Sequence, residues 1–134
     1  MKVLILEDFF YRAGQFKDRF ALYGITDITH VTRADECIRQ ISETKYDIIF
    51  LDYHLDNMEF EVLAPNNTGA KVAEWMKDHP DNVNKDTPVI IHSGSELGAT
   101  EIKKNLPNAR IIRRAWKKEV FDQVTKVLNL KKKS

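Results

Sequence analysis

The sequence lacks the marks of secreted, membrane-spanning and fibrous proteins. It contains 1 cysteine, Cys37, so it can form neither an internal disulfide nor a zinc site built from paired thiols. Glycine and proline number 5 and 4 among 134 residues, too few for a collagen-like or low-complexity chain. The longest apolar runs, such as residues 3–6 and 48–51, are far shorter than the ~20 residues that a membrane span needs. These features predict a cytoplasmic protein.

Neither sign of charge is in excess. The 21 Lys and Arg residues nearly balance the 20 Asp and Glu residues, which gives a formal net charge of +1, whereas a general nucleic-acid binder needs a clear basic excess. Hydrophobic residues make up 43% and charged residues 31% of the chain, a balance typical of globular domains. We expect one domain over residues 1–130 and a basic tail over residues 131–134.

Short apolar runs bounded by polar turns predict five strands that are buried on both faces. They lie at residues 3–6, 25–31, 48–51, 89–91 and 109–112. A helical spacing of apolar residues follows each run, so the order of elements is (βα)₅. Right-handed crossovers arrange such units as a doubly wound α/β fold, and we predict a flavodoxin-like parallel sheet of order 2-1-3-4-5. The dinucleotide-binding order is the alternative, but the turn after the first strand lacks the glycines that approach a pyrophosphate.

Two connections are longer than a βα unit needs, at residues 52–68 and 78–87. Long loops at strand ends often carry function. The first loop adds polar and acidic side chains to its rim, namely Asp56, Asn57, Glu59 and Glu61. They predict either recruitment of a metal ion or simple solvation of the loop.

Three acids lie at the carboxyl ends of strands that the predicted order makes neighbours. Glu7 and Asp8 follow the first strand, and Asp52 follows the third. Open α/β sheets bind ligands at this edge, where the direction of winding reverses. Crowded carboxylates destabilise a fold unless a cation neutralises them, and Mg²⁺ prefers carboxylate oxygens. The sequence therefore predicts a magnesium site, and the alternative is that each acid merely favours a helix N-terminus.

Three motifs occur in a fixed order along the chain. Residues 6–8 read Leu-Glu-Asp, residues 49–52 read Ile-Phe-Leu-Asp, and residues 88–94 read Pro-Val-Ile-Ile-His-Ser-Gly. Each motif is short, but together they resemble the acidic pair, the phospho-acceptor strand and the fourth strand of a response-regulator receiver domain. The resemblance covers nearly the whole chain.

This resemblance implies two-component signalling through a magnesium-dependent phosphoryl acceptor. Asp52 would form an acyl phosphate, and Ser93 would hydrogen-bond a phosphoryl oxygen. Asp8 and Asp52 would ligate Mg²⁺, with Glu7 acting mainly through water and the backbone carbonyl of His54 completing the set. A histidine kinase or phosphotransfer protein would supply the phosphoryl group. Because the last helical pattern ends near the end of the chain, we expect a stand-alone receiver, monomeric or weakly dimeric, with an unknown output partner.

The sequence departs from the receiver pattern after the fifth strand. Receivers usually have Lys-Pro there, whereas residues 113–116 read Arg-Arg-Ala-Trp. Arg114 aligns best with the lysine and would bind phosphate through two hydrogen bonds. His54 and His92 are further additions and are candidate general acids or bases, although strand alternation puts His92 on the face opposite Ser93.

These departures resemble a divergent receiver branch that has been proposed to process cyclic phosphates in prokaryotic and phage conflict systems. Three functions remain open. The first is the stand-alone receiver. The second is a metal-dependent enzyme in which His54, His92 and Arg114 act on a cyclic phosphodiester. The third is a pseudo-receiver that binds a partner without being phosphorylated.

Overall fold

The computed structural model describes residues 1–55 and 67–132. The acidic rim predicted from Asp56, Asn57, Glu59 and Glu61 lies outside the described residues, as does the end of the basic tail. In chain order the elements are β1 (Lys2–Leu6), α1 (Phe10–Ala21), β2 (Asp27–Val31), α2 (Ala34–Glu43), β3 (Ile48–Leu51), α3 (Gly69–Asp78), β4 (Val89–Ile91), α4 (Glu96–Asn105), β5 (Arg110–Ile111) and α5 (Phe121–Leu128). Within the described residues, no helix combines the length and the apolar character of a membrane span.

The five strands form one parallel sheet of order β2-β1-β3-β4-β5, which confirms the predicted topology. β1 and β3 are neighbours, and their last residues, Leu6 and Leu51, are paired in register. The residues that follow these two strands therefore lie side by side at the carboxyl edge of the sheet. β2 and β5 are shorter than predicted, since they begin at Asp27 and Arg110.

Side chains of each central strand point alternately to two cores, one on each face of the sheet. Leu4, Leu6 and Leu51 pack with apolar residues of α2, α3 and α4. Ile5 and Phe50 pack on the other face with residues of α1 and α5. Burial on both faces is the reason that the central strands read as unbroken apolar runs.

The long connection between α3 and β4 has a structural role. Asn84 in this connection is fully buried, and its side-chain oxygen accepts a hydrogen bond of 2.8 Å from the Tyr46 N–H. Its amide nitrogen donates to the carbonyl oxygens of Ile41 and Thr44, each at 2.7 Å. One side chain thus satisfies backbone groups where α2 ends and β3 begins, and the length of this connection is explained without a ligand.

Candidate functional site

Three acids lie together at the carboxyl edge of β1 and β3. Glu7, Asp8 and Asp52 are only 0%, 8% and 4% exposed. The Glu7 N–H donates to the Val31 carbonyl at 3.0 Å, and the Asp52 N–H donates to the Leu6 carbonyl at 3.3 Å. The hydrogen-bond ladder of the sheet therefore continues one residue beyond each strand and fixes the backbone of these acids.

Asp8 and Asp52 line a surface pocket at the carboxyl ends of the strands. The pocket is lined by residues that follow β1, β3 and β4 and by the start of α1, namely Asp8, Phe9, Arg12, Asp52, His54, Ser93, Gly94 and Ser95. Carboxylates, a guanidinium group and a hydroxyl thus face one space. This combination suits a ligand that carries both a cation and anionic oxygens.

Glu7 connects this acidic cluster to a buried histidine. The Nε2 atom of His92 is 3.2 Å from Oε1 of Glu7, and both side chains are fully buried. Burial raises the pKa of Glu7 to about 7, and burial lowers the pKa of His92 to about 4. Burial thus disfavours the charged forms of both groups, and a hydrogen-bond contact joins them.

His92 lies within an aromatic cage on the α1 side of the sheet. Its ring centroid is 5.1 Å from that of Phe16, 6.2 Å from Phe50 and 5.9 Å from Trp116. The structure thus places His92 in the core, on the opposite side from Ser93 in the pocket. Its predicted acid–base role stays a prediction, and its observed contact is with Glu7.

The Asp52 side chain is oriented by the turn that carries it. Its Oδ1 atom accepts a hydrogen bond of 2.8 Å from the Tyr53 N–H. Burial, together with repulsion from Glu7 and Asp8, raises the pKa of Asp52 to about 6. Gly69 closes the turn, since its N–H donates to the Tyr53 carbonyl at 3.0 Å and a Cβ atom there would overlap the Asp52 carbonyl.

Arg12, in the first turns of α1, places a cation beside these acids. Its Nη1 atom lies 3.9 Å from Oε2 of Glu7 and 4.0 Å from Oδ2 of Asp52. The guanidinium carbon lies 4.8 Å from the ring centroid of Trp116 and 5.3 Å from that of Phe9. Contact with two aromatic rings orients the planar cation at the pocket.

The sequence analysis missed Arg12 because a charged residue on an amphipathic helix resembles a solvated surface residue. Its spacing from Asp8, about one helical turn, is a weak signal that the two side chains share one edge of the fold. The contact with Trp116 has no local signal in the sequence. It depends on the packing of α1 against the segment that follows β5.

The structure places Arg114 outside the lining of the pocket. This residue is exposed and has a left-handed backbone, with φ 58°. Its N–H donates to the His92 carbonyl at 3.2 Å, and the neighbouring Arg113 donates from Nη2 to the Gly94 carbonyl at 2.7 Å. The predicted contact between Arg114 and phosphate stays a prediction, whereas the pocket itself holds Arg12.

Ser93 and His54 both line the pocket. Ser93 is buried, and its Oγ atom accepts a hydrogen bond of 3.1 Å from the Ser95 N–H, so its hydroxyl proton can be donated to a ligand. His54 is exposed on the rim. It pairs with Thr68 in an antiparallel bridge, and its ring packs edge-on against Tyr53 at 4.8 Å.

The donor atoms of the cluster fit a hard divalent cation. One ligand atom each from Glu7, Asp52 and His92 lie within 4.8 Å of one another, and Asp8 lines the same pocket as Asp52. Two of these three donors are carboxylate oxygens, the type of ligand that Mg²⁺ prefers. The raised pKa values of Glu7 and Asp52 show that their ionised forms are poorly compensated, so a bound cation would stabilise them.

The sequence matches the model of the cyclic-phosphate processing receiver domain over residues 3–108. The chain belongs to this family. The match confirms the resemblance that the three sequence motifs suggested. A comparison with curated proteins gives no significant match.

Solved receiver domains share the fold. The receiver domain of a Francisella response regulator superposes with a TM-score of 0.68 at 21% identity, covering 96% of this chain and 93% of that one. A two-component response regulator from Clostridium difficile gives 0.71 at 17% identity, with 96% of each chain covered. A receiver domain protein from Methanospirillum hungatei gives 0.69 at 15% identity, covering 96% of this chain and 93% of that one. At these identities the likeness shows the fold alone.

In this cyclic-phosphate processing receiver domain, the positively charged side chain at the pocket belongs to α1. Glu7 and Asp8 follow β1, Asp52 follows β3 and Ser93 follows β4. The roles that the resemblance implies for these residues stay predictions. The arginine that faces them is Arg12, and not a residue of the turn after β5. The cationic side of the pocket therefore differs from what the resemblance implied, which was a contact from Arg114.

Proposed function

We propose that this receiver domain accepts a phosphoryl group on Asp52 in a Mg²⁺-dependent reaction. The observation that supports it most strongly is the single pocket shared by Asp8, Asp52, Ser93 and Arg12. These side chains supply a nucleophile, an acidic cation site, a hydroxyl donor and a fixed positive charge, which are the parts that phosphoryl transfer needs. A histidine kinase or phosphotransfer protein would supply the phosphoryl group.

Each side chain has a distinct role in this reaction. A carboxylate oxygen of Asp52 bonds to phosphorus while the bond from phosphorus to the donor's leaving atom breaks, and that atom is an imidazole nitrogen in a phosphohistidine or an oxygen in acetyl phosphate. The pKa of Asp52, about 6, leaves this carboxylate ionised at pH 7.5. The Ser93 hydroxyl and the Arg12 guanidinium each donate to an oxygen of the transferred group. Mg²⁺ held by Asp8 and Asp52 would neutralise negative charge on that group.

The test is incubation of the wild-type domain with Mg²⁺ and a small phosphodonor such as acetyl phosphate, followed by intact-mass measurement. One phosphoryl group per chain is expected, and the adduct should be cleaved by hydroxylamine because it is an acyl phosphate. A folded domain that binds Mg²⁺ and gains no mass would contradict the proposal. That outcome would favour the enzyme or the pseudo-receiver.

Arg12→Ala should slow the labelling of Asp52. Loss of one charge-assisted hydrogen bond costs roughly 1.5–3 kcal/mol, which corresponds to a rate about ten- to a hundredfold lower if the contact acts in the transition state. Arg114→Ala is the matched control, since it removes an arginine that does not line the pocket, and its rate should stay within about twofold of wild type. The initial rate of mass gain measures both. The reverse pattern would assign the phosphate contact to Arg114.

A second candidate function is hydrolysis of a cyclic phosphodiester, which the family match favours. Water would add to phosphorus, one ring P–O bond would break, and the departing oxygen would take a proton to give a monoester. Asp52 has a pKa near 6 and could remove the proton from water close to neutral pH. The planar fork of Arg12 could hold both non-bridging oxygens.

The two functions are separated by incubation with a 2′,3′-cyclic nucleotide and divalent metals, with chromatographic detection of the opened monoester. Turnover that falls in Arg12→Ala and in His92→Ala would favour the enzyme. An absence of turnover, together with labelling of Asp52, would leave phosphoryl acceptance as the function. A domain that shows neither reaction would be a pseudo-receiver.

A further inference from the structure

Three consecutive aromatic residues lie exposed where α1 begins. Phe9, Phe10 and Tyr11 are 48%, 72% and 68% exposed, although side chains of this size are normally mostly buried. Contiguous exposed apolar surface marks binding sites. Phe9 also lines the acidic pocket, so this aromatic surface continues directly from the proposed phosphate site.

Arg12 connects the aromatic surface to the acidic pocket. The ring centroid of Phe9 lies 5.3 Å from the guanidinium carbon of Arg12, and Nη1 of Arg12 lies 4.0 Å from Oδ2 of Asp52. The Arg12 guanidinium thus lies over one face of the Phe9 ring, and a base whose phosphate is held by Arg12 would stack on the other face of this half-exposed ring. The Tyr11 ring lies 6.3 Å from Phe9 at an interplanar angle of 56° and extends the surface.

The backbone of Phe9 is fixed in place before any ligand binds. Its N–H donates to Oε2 of Glu7 at 3.1 Å, and its carbonyl accepts from the N–H groups of Arg12 and Ala13 at 3.1 and 3.2 Å. The same acid that belongs to the metal-binding cluster thus anchors the aromatic residue. A fixed backbone reduces the conformational freedom that is lost when a base stacks on the ring.

We propose that Phe9 is the stacking face for the base of a mononucleotide whose phosphate occupies the acidic pocket. The inference rests on the proposed phosphate site but holds for either reaction there. Stacking accepts any base, since every base has a π face. A long nucleic-acid strand is disfavoured, because the chain has a net charge of only +1 and strand binding relies on an extended basic surface.

Phe10 provides a matched control on the same turn. Its ring packs edge-on against His30 at 5.4 Å and 88°, and His30 in turn lies 2.6 Å from the Glu7 carbonyl through Nε2. Phe10 is not among the residues that line the pocket. Removal of this ring deletes a more exposed aromatic residue without touching the proposed stacking face.

The test measures binding of adenosine 5′-monophosphate and of ribose 5-phosphate by calorimetry in the presence of Mg²⁺. These ligands differ only in the base. Wild type should bind the nucleotide at least about tenfold more tightly, as expected for one stacked base. In Phe9→Ala and Phe9→Leu the two affinities should become equal to within about twofold, even where loss of the ring beside Arg12 weakens the binding of both ligands. Phe9→Trp should keep the preference, and Phe10→Ala should match wild type.

Equal affinities for the two ligands in wild type, or no binding of either, would overturn the inference. So would a preference that survives in both Phe9→Ala and Phe9→Leu, where the leucine variant guards against a folding defect. Phosphoryl labelling of Asp52 is scored separately. Labelling without a nucleotide preference would refute only the base site, and a nucleotide preference without labelling would refute only the acceptor reaction.

Discussion

Asp52→Asn should abolish phosphoryl labelling and leave the fold intact. The amide has nearly the shape of the carboxylate, but its oxygen is neutral and is not a nucleophile that can displace a leaving group from phosphorus. The variant keeps the side-chain oxygen that accepts from the Tyr53 N–H. We therefore expect no mass gain under conditions in which wild type gains one phosphoryl group.

Asp35→Asn is the matched control, because Asp35 is an exposed acid in the first turn of α2 and does not line the pocket. Its labelling should equal that of wild type. If Asp52→Asn still gained one phosphoryl group, the nucleophile would be a different residue. Peptide mapping of the adduct would then identify it.

Gly69→Ala should destabilise the domain by about 3 kcal/mol or more, at the upper end of the cost of overpacking. The new Cβ atom would lie 2.8 Å from the carbonyl carbon of Asp52 and 3.0 Å from Cδ1 of Ile102. Backbone cannot rotate aside as a flexible side chain does, so either α3 or the turn that carries Asp52 must move. Phosphoryl labelling should slow in the same variant because the nucleophile is displaced.

Gly14→Ala, on α1, should instead stabilise the domain. A Cβ atom at this position has no neighbour within 4 Å, and alanine is favoured over glycine in a helix interior by roughly 0.5–1 kcal/mol. Urea unfolding of both variants measures the two effects. Equal stability of Gly69→Ala and wild type would mean that the helix start and the Asp52 turn separate at little cost.

The fold could be predicted from the sequence because its central strands are buried on both faces. Residues such as Leu4 and Ile5 point to opposite cores, which requires an unbroken apolar run and leaves a strong local signal. The ends of the edge strands were less predictable. Ile25 is buried, so the apolar pattern predicted a strand that begins there. The observed β2 begins at Asp27, because Ile25 packs in the core without pairing with β1.

The acidic side of the site could also be predicted, since strand ends in a parallel sheet meet at one edge and Glu7, Asp8 and Asp52 each follow a strand. The cationic and aromatic side could not be predicted in this way. Arg12 depends on stacking against Trp116, which comes from the other end of the chain. Contacts of this kind arise from tertiary packing and leave no periodic trace in the sequence.

The long connection after α3 illustrates the same limit. Its length suggested a functional loop, but Asn84 uses that length to reach backbone groups of Ile41, Thr44 and Tyr46. A single buried asparagine in a polar stretch cannot be distinguished from its exposed neighbours by composition. Its role becomes visible only when the hydrogen-bond partners of buried backbone groups are counted.

The most direct test of whether these acids form a working cation-dependent site is the free energy of unfolding of wild type and Asp52→Asn, with and without Mg²⁺. The pKa of Asp52 is raised from 3.8 to about 6 in the folded state, so its ionisation costs stability above pH 6, and the cost disappears below pH 3.8. Without Mg²⁺ at pH 7.5, Asp52→Asn should therefore be more stable than wild type, by on the order of 3 kcal/mol.

Mg²⁺ should stabilise wild type, because it binds the folded site, and should have little effect on Asp52→Asn. In the absence of Mg²⁺, the difference in free energy of unfolding between Asp52→Asn and wild type should vanish near pH 4. A less stable Asp52→Asn variant, together with no response to Mg²⁺ in either protein, would contradict this result. The acids would then be a structural cluster compensated by Arg12 and by protonation.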